Sequence, residues 1–227
     1  LRAEHGAENV FDLSLGNPIL EPPQEFRAEL LRIARDETPG THRYMPNGGF
    51  PETRAAVAAG LAAETGLGFT GSDVIMTCGA GAALNVTFKA LLDPGDEVVV
   101  IAPYFVEYLF YADNQGGIAR IASSDERFLP DIDSLRSTIT ERTRIVLVNS
   151  PNNPSGVVYS PETLAAVGEV IREAESRFGT EIFLVSDEPY RKLLFTDEPY
   201  PFVFPHHERT VVVTSHSKDL GLAGERI

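Results

Sequence analysis

The sequence predicts an α/β protein with a mostly parallel sheet covered by helices on both faces. Two observations carry this reading. Short β-branched or apolar runs recur along the chain, and stretches with apolar residues at three- and four-residue spacing separate them. Polar and glycine-rich residues also gather immediately after those runs, where such sheets place their ligands.

Taken in order, residues 24–35 and 51–65 carry the helical spacing. Residues 73–77 form a short apolar run of strand type, and residues 80–92 read as a helix opened by Cys78-Gly79-Ala80-Gly81. A turn at 93–96 leads into a strand at 97–102, followed by a helix at 106–113 and a strand at 117–122. The run ending at Val148 (144–148) is a strand that empties into a loop crowded with Asn and Pro. Ser160-Pro161-Glu162 is a helix start, and the helix it opens runs through 178 to Gly179. Residues 181–185 and 210–214 are the remaining strands, the last read as buried.

Composition narrows the function classes. The 227 residues include 43% hydrophobic and 23% charged, ordinary for a globular protein. Acidic residues outnumber basic ones, 33 to 19, which argues against a nucleic-acid surface. The single cysteine, Cys78, excludes an internal disulfide framework and a cysteine metal cluster, and fits a reducing, cytoplasmic setting. No apolar run is long enough for a membrane span, and the start carries no signal-peptide core.

The strand ends deliver a definite set of side chains. After 73–77 come Gly79, Ala80 and Gly81; after 97–102 comes Phe105; after 144–148 comes Asn153. After 181–185 come Asp187 and Tyr190, and after 210–214 come Ser215 and Lys218. Each alone has an ordinary structural explanation. Glycine is common at strand-to-helix turns, Phe105 suits a core, Asn153 suits a turn, and Lys218 suits a surface. Asp187 is harder to explain, because a carboxylate ending an apolar strand must be paired or hydrogen-bonded. Together they describe a site for a flat, phosphate-bearing, electron-withdrawing group. A dinucleotide fingerprint is excluded, since Leu84 stands where the third small residue belongs. Ser215-His216-Ser217-Lys218 also fits the S-x-x-K nucleophile motif, but the S-D-N and K-T-G elements it requires do not occur.

Four motifs in order, "YMPNGGFPETR", "NSPNNPSG", "SDEPY" and "SHSKDLGLAGERI", together with "LGNP" near the start, resemble the class I/II aminotransferases. These are pyridoxal-phosphate enzymes of fold type I, and the likeness is to the aspartate-aminotransferase-like branch. The last motif is the most specific, with Arg226 eight residues beyond Lys218. The resemblance implies that Lys218 forms a Schiff base with pyridoxal 5′-phosphate and then shuttles a proton. Asp187 would pair with the ring nitrogen, Asn153 and Tyr190 would hold the phenolic oxygen, and Phe105 would stack on the ring. The phosphate would be held by the backbone at Gly79, Ala80 and Gly81, by Ser215, by Arg226, and by Tyr44 reaching from the partner subunit of a homodimer. Gly16 would line the substrate pocket, with Asn153 beside it. No metal is implied.

The same resemblance divides the chain into an amino-terminal segment, 1–43, and a cofactor-binding large domain, 44–227, truncated at its carboxyl end. Family members are much longer, so the chain is expected to be incomplete, without most of the small domain and the arginine that clamps the substrate carboxylate. Gly81 departs from the family, many of whose members carry a longer polar residue there. The implied reaction exchanges an amino group between an amino acid, aspartate as the first choice, and a 2-oxo acid. A carbon–sulfur β-lyase of the same fold, or a non-catalytic aminotransferase-like sensor module, stays open at this point.

Overall fold

A computed structural model of the chain describes residues 1–11 and 16–227. Leu15 of the "LGNP" element therefore lies outside the described residues. The amino-terminal part carries α1 (Arg2–His5), α2 (Gln24–Ala34) and α3 (Pro51–Thr65). Then follow α4 (Ala80–Leu91), β1 (Glu97–Ile101), α5 (Glu107–Asp113), β2 (Ile118–Ala122), α6 (Ile132–Thr138), β3 (Thr143–Asn149), α7 (Pro161–Phe178), β4 (Phe183–Asp187) and β5 (Thr210–Val213).

The five strands form one parallel sheet in the order β2-β1-β3-β4-β5. Its centre is apolar on both sides because both sides are covered. On one face Val99, Val146, Val148 and Leu184 pack against Leu135 of α6 and Leu164, Val167 and Ile171 of α7. On the other, Val98, Val100, Leu147 and Val185 pack against Leu84 and Phe88 of α4 and Tyr108 and Ala112 of α5. After β1 the chain goes outward to β2 and then returns to β3 on the opposite side of β1. Strand order thus reverses between β1 and β3, the arrangement that opens a crevice at the carboxyl ends. The register puts Asn149 opposite Asp187 and Asp187 opposite Val213, so three strands end level.

The expected α/β class and parallel sheet are present, with differences in detail. Residues 73–77 form no strand. Gly71–Asp73 is a single 3-10 turn, and Val74 beyond it is extended, with no ladder partner among the described residues. Its carbonyl instead accepts a bond from Arg54 Nε at 2.7 Å, and Met76 N–H donates to Gly48 O at 3.0 Å. Strand β5 is half-buried rather than buried, because it pairs only with β4 and forms the edge of the sheet. Helix α6 was not expected. Asp131 caps it by accepting from the N–H groups of Asp133 and Ser134, both at 3.0 Å. Helix α7 starts as the sequence indicates, with Ser160 Oγ accepting from Thr163 N–H and Pro161 in the first turn.

One glycine in α7 is required by packing. A Cβ on Gly168 would stand 2.1 Å from the carbonyl oxygen of His206, which also accepts a 2.6 Å bond from Arg172. The Phe204–His206 turn can approach the helix only over a residue without a side chain.

Candidate active site

The site is assembled on the carboxyl rim of the sheet, on the α4/α5 face. Side chains alternate along β4, so Val185 and Asp187 face α4 and α5 while Ser186 and Glu188 face the other way. Asp187 is buried. Its Oδ2 accepts a 2.6 Å bond from the Tyr108 hydroxyl, and its Oδ1 has no partner among the described residues. Burial pushes its pKa up to about 6, with the Tyr108 bond opposing the shift. A buried carboxylate oxygen left unsatisfied costs free energy, so a donor bound beside it would be favoured.

Around Asp187 the loops are tied to each other. Asn149 Nδ2 donates to the Asp187 carbonyl at 2.8 Å, and Asn149 Oδ1 accepts from Asn153 N–H at 2.7 Å. This one side chain couples the end of β4 to the "NSPNNP" loop and so fixes Asn153. The Tyr190 hydroxyl lies against the Asn153 side chain; burial and then the Asp187 charge raise its pKa, and the Asn153 contact works the other way. Phe105 packs edge-on against Tyr108, with ring centroids 5.6 Å apart. It thus packs on the tyrosine that bonds the carboxylate.

The loop after β5 brings in the amine. Lys218 sits in a turn and its Nζ donates to the Gly16 carbonyl at 2.6 Å. The amino-terminal strip and the lysine turn, more than two hundred residues apart in sequence, therefore meet at the rim. Ser215 is buried, its Oγ accepting a long bond from Ser217 N–H. Arg226 folds back toward the start of α4. Its guanidinium donates to the Cys78 carbonyl at 3.5 Å and would lie 3.6 Å from a Cβ on Gly79. Gly79 is the residue before α4 and has φ 85°, a conformation that glycine adopts without strain. Behind it, the first N–H groups of α4 have no partners within the helix. A cationic side chain, N–H groups without partners in the helix and the positive end of a twelve-residue helix form a cradle for an anion.

The structure thus brings together Gly16, Gly79, Ala80, Gly81, Phe105, Asn153, Asp187, Tyr190, Ser215, Lys218 and Arg226 along one rim. Tyr44 stands apart. It is fully exposed and forms none of the contacts above. Sequence reasoning passed over Tyr108 and Asn149 as site residues. Tyr108 follows Phe105 by three residues on α5 and has the spacing of a core aromatic, while its hydroxyl partner is 79 residues away. Among the described residues no group of potential metal ligands occurs, and no helix is long and apolar enough to cross a membrane.

A model of the family "Aminotransferase class I and II" matches residues 8–227. The chain belongs to the class I and II aminotransferases. Members of this family use pyridoxal phosphate. Among its relatives, a probable aspartate/prephenate aminotransferase of Thermus aquaticus is 36% identical over 95% of the chain. A probable aspartate aminotransferase of Methanocaldococcus jannaschii is 32% identical over 96%. The fold matches an amino transferase crystal structure from Eubacterium rectale with a TM-score of 0.95 at 39% identity, covering 99% of this chain and 57% of that one. It also matches Thermus thermophilus aspartate aminotransferase with maleate, TM-score 0.85 at 35% identity, covering 94% of this chain and 54% of that one. The chain spans about half the length of the curated relatives it matches, 54% and 56% for the two named above.

Proposed function

We propose that the protein carrying this chain is a pyridoxal-phosphate-dependent aminotransferase, and that the rim described above is its cofactor site. The observation that carries the reading is Asp187: a buried carboxylate with one oxygen bonded to Tyr108 and the other without a partner among the described residues, on the same rim as the Lys218 amine and the anion cradle. A protonated pyridine nitrogen supplies the missing donor. The residues fit the group at both ends, a carboxylate for the ring nitrogen and a cationic helix start for the phosphate.

When bound, pyridoxal phosphate supplies an aldehyde carbon and an electron-withdrawing ring. Asp187 keeps the ring nitrogen protonated, and the low dielectric around it strengthens that pairing. Lys218 would hold the group through Nζ, and its amine, when free, would be the base that moves a proton at the substrate Cα. Asn153 and Tyr190 hydrogen-bond the phenolic oxygen, and Phe105 covers a ring face. Gly79, Ala80 and Gly81 offer backbone N–H groups to the phosphate, Ser215 a hydroxyl, and Arg226 a bidentate cation. Gly16, already in contact with Lys218, forms part of the substrate wall, with Asn153 beside it.

Aspartate with 2-oxoglutarate is the proposed substrate pair, supported by relatives named as aspartate aminotransferases. We further propose a cytoplasmic homodimer in which exposed Tyr44 reaches the phosphate of the partner subunit. Residues 1–43 would act as an amino-terminal segment lining the pocket, and 44–227 as the cofactor-binding domain. The test supplies each of the twenty amino acids with 2-oxoglutarate and pyridoxal phosphate and follows glutamate and the new oxo acid. Stoichiometric glutamate is expected, with aspartate fastest. Pyruvate with ammonia and thiol would make the protein a lyase, and no turnover of any amino acid would reject the enzymatic reading.

A further inference from the structure

The anion cradle at the start of α4 is not bounded by backbone and Arg226 alone. Beside Gly81 a side chain arrives from α5. A Cβ placed on Gly81 would stand 3.0 Å from the Tyr111 hydroxyl oxygen and 3.7 Å from Tyr111 Cζ. The phenol thus fills the space that a side chain on residue 81 would need. Its position is fixed by the packing of the two helices. Asn85 Nδ2 donates to the Gly81 carbonyl at 2.9 Å, and Asn114, just past α5, donates to Asn85 Oδ1 at 3.4 Å.

Tyr111 is half-buried, and its hydroxyl donates to the carboxylate of Glu107 one turn earlier on α5. Burial, the Glu107 bond and the Asp187 charge raise its pKa, and Arg226 alone works against them. The phenol therefore keeps its proton at working pH and remains a donor. The geometry that places the hydroxyl at the cradle is its 3.0 Å approach to the Cβ position of Gly81.

We propose that Tyr111 is a binding residue for the cofactor phosphate, its hydroxyl serving where Gly81 offers no side chain. The inference rests on the functional reading above and adds a contact to it. Glu107 is exposed, so when a phosphate dianion occupies the cradle the Tyr111 O–H turns from the carboxylate to a phosphate oxygen and water takes its place on Glu107. Glu107 is then a competing acceptor and a like charge, which limits the gain. The pairing also gives a reason for glycine at residue 81: a side chain there would push the hydroxyl away.

The test compares pyridoxal phosphate with pyridoxal, which lacks the phosphate, in titrations of the protein carrying this chain. Tyr111→Phe removes one oxygen from a half-buried ring and leaves its packing. Its affinity for pyridoxal phosphate should fall about tenfold, the low end for a hydrogen bond to a charged acceptor, with pyridoxal affinity unchanged. Gly81→Ala should weaken pyridoxal phosphate binding in the wild-type background and add nothing in Tyr111→Phe, because the Cβ then meets only ring carbon. Equal affinity of Tyr111→Phe and wild type, an equal loss for pyridoxal, or additive losses in the double variant would overturn the proposal. A wild-type protein that binds neither compound would reject the functional reading itself, and this inference with it.

Discussion

Replacing Asp187 with Asn separates what the carboxylate costs the fold from what it contributes to the site. Asp187 is buried and raised from 3.8 to about 6, the first cause being loss of hydration. A shift of about two units corresponds to about 3 kcal/mol at 1.36 kcal/mol per unit. A raised carboxylate pKa means that the folded state holds the proton more tightly than the unfolded chain. The contribution is therefore complete below about pH 4 and is lost as pH rises through about 6. Glu188, raised to about 7 chiefly by burial, adds a similar slope in both proteins; the Asp187 charge is the least of its causes, so most of that slope cancels in the difference. Urea unfolding of the cofactor-free protein at intervals from pH 4 to 8 should show wild type losing about 3 kcal/mol more than Asp187→Asn across that window. With pyridoxal phosphate bound the order should reverse, since only the carboxylate can pair with a pyridinium. Parallel stability curves for the two cofactor-free proteins would show that Asp187 does not carry a strained charge, and the reasoning from its unpartnered oxygen would fail.

Three further perturbations follow from the same structure. Tyr108→Phe removes the one bond that holds the Asp187 pKa down, so the stability transition assigned to Asp187 should move up by about one pH unit; an unmoved transition would deny the 2.6 Å bond any energetic weight. Glu97 begins β1 fully buried; burial raises its pKa, but bonds from Thr140, Arg120 and Arg142 outweigh that and leave it lowered. Glu97→Gln should destabilise by about 2 kcal/mol near neutrality, less than a fully buried pair because both arginines are half-exposed. A lowered carboxylate stabilises above its usual range, so the penalty should shrink as pH falls through the acid region, as chemical unfolding would report. Gly168→Ala should destabilise by about 1–3 kcal/mol, although alanine gains about 1 kcal/mol in an unhindered helix; a higher melting temperature would show that the His206 carbonyl yields easily.

What the sequence disclosed, and what it hid, divides by range along the chain. Helix α7 was legible because its cap, its proline and its closing glycine are all local, and β1 and β3 because β-branched runs mark them without help. Residues 73–77 have the same local character, yet pairing needs a neighbouring strand, and no local pattern reports one. The edge position of β5 failed for the same reason, since burial depends on what lies beside a strand. Helix α6 was overlooked at seven residues, though Asp131 followed by Ile132, Leu135 and Ile139 is a capped amphipathic turn. In the proposed site, Lys218, Asp187 and Arg226 stand in motifs of unusual specificity, which is why the sequence points to them. Tyr108, Asn149 and the fit of Tyr111 against Gly81 were not, because each acts through a partner far away in sequence.

If Lys218 holds pyridoxal phosphate in the site built around Asp187, the bond can be trapped on that residue. The chain has only three lysines, Lys89, Lys192 and Lys218, which makes the attachment point easy to assign. The most direct measurement is incubation of the protein with pyridoxal phosphate, reduction with borohydride, and mass mapping of the peptides. One reduced pyridoxyl group on Lys218, absent from Lys218→Ala and greatly diminished in Asp187→Asn, is the expected result. Labelling spread over Lys89 and Lys192, or no stable label, would contradict the account.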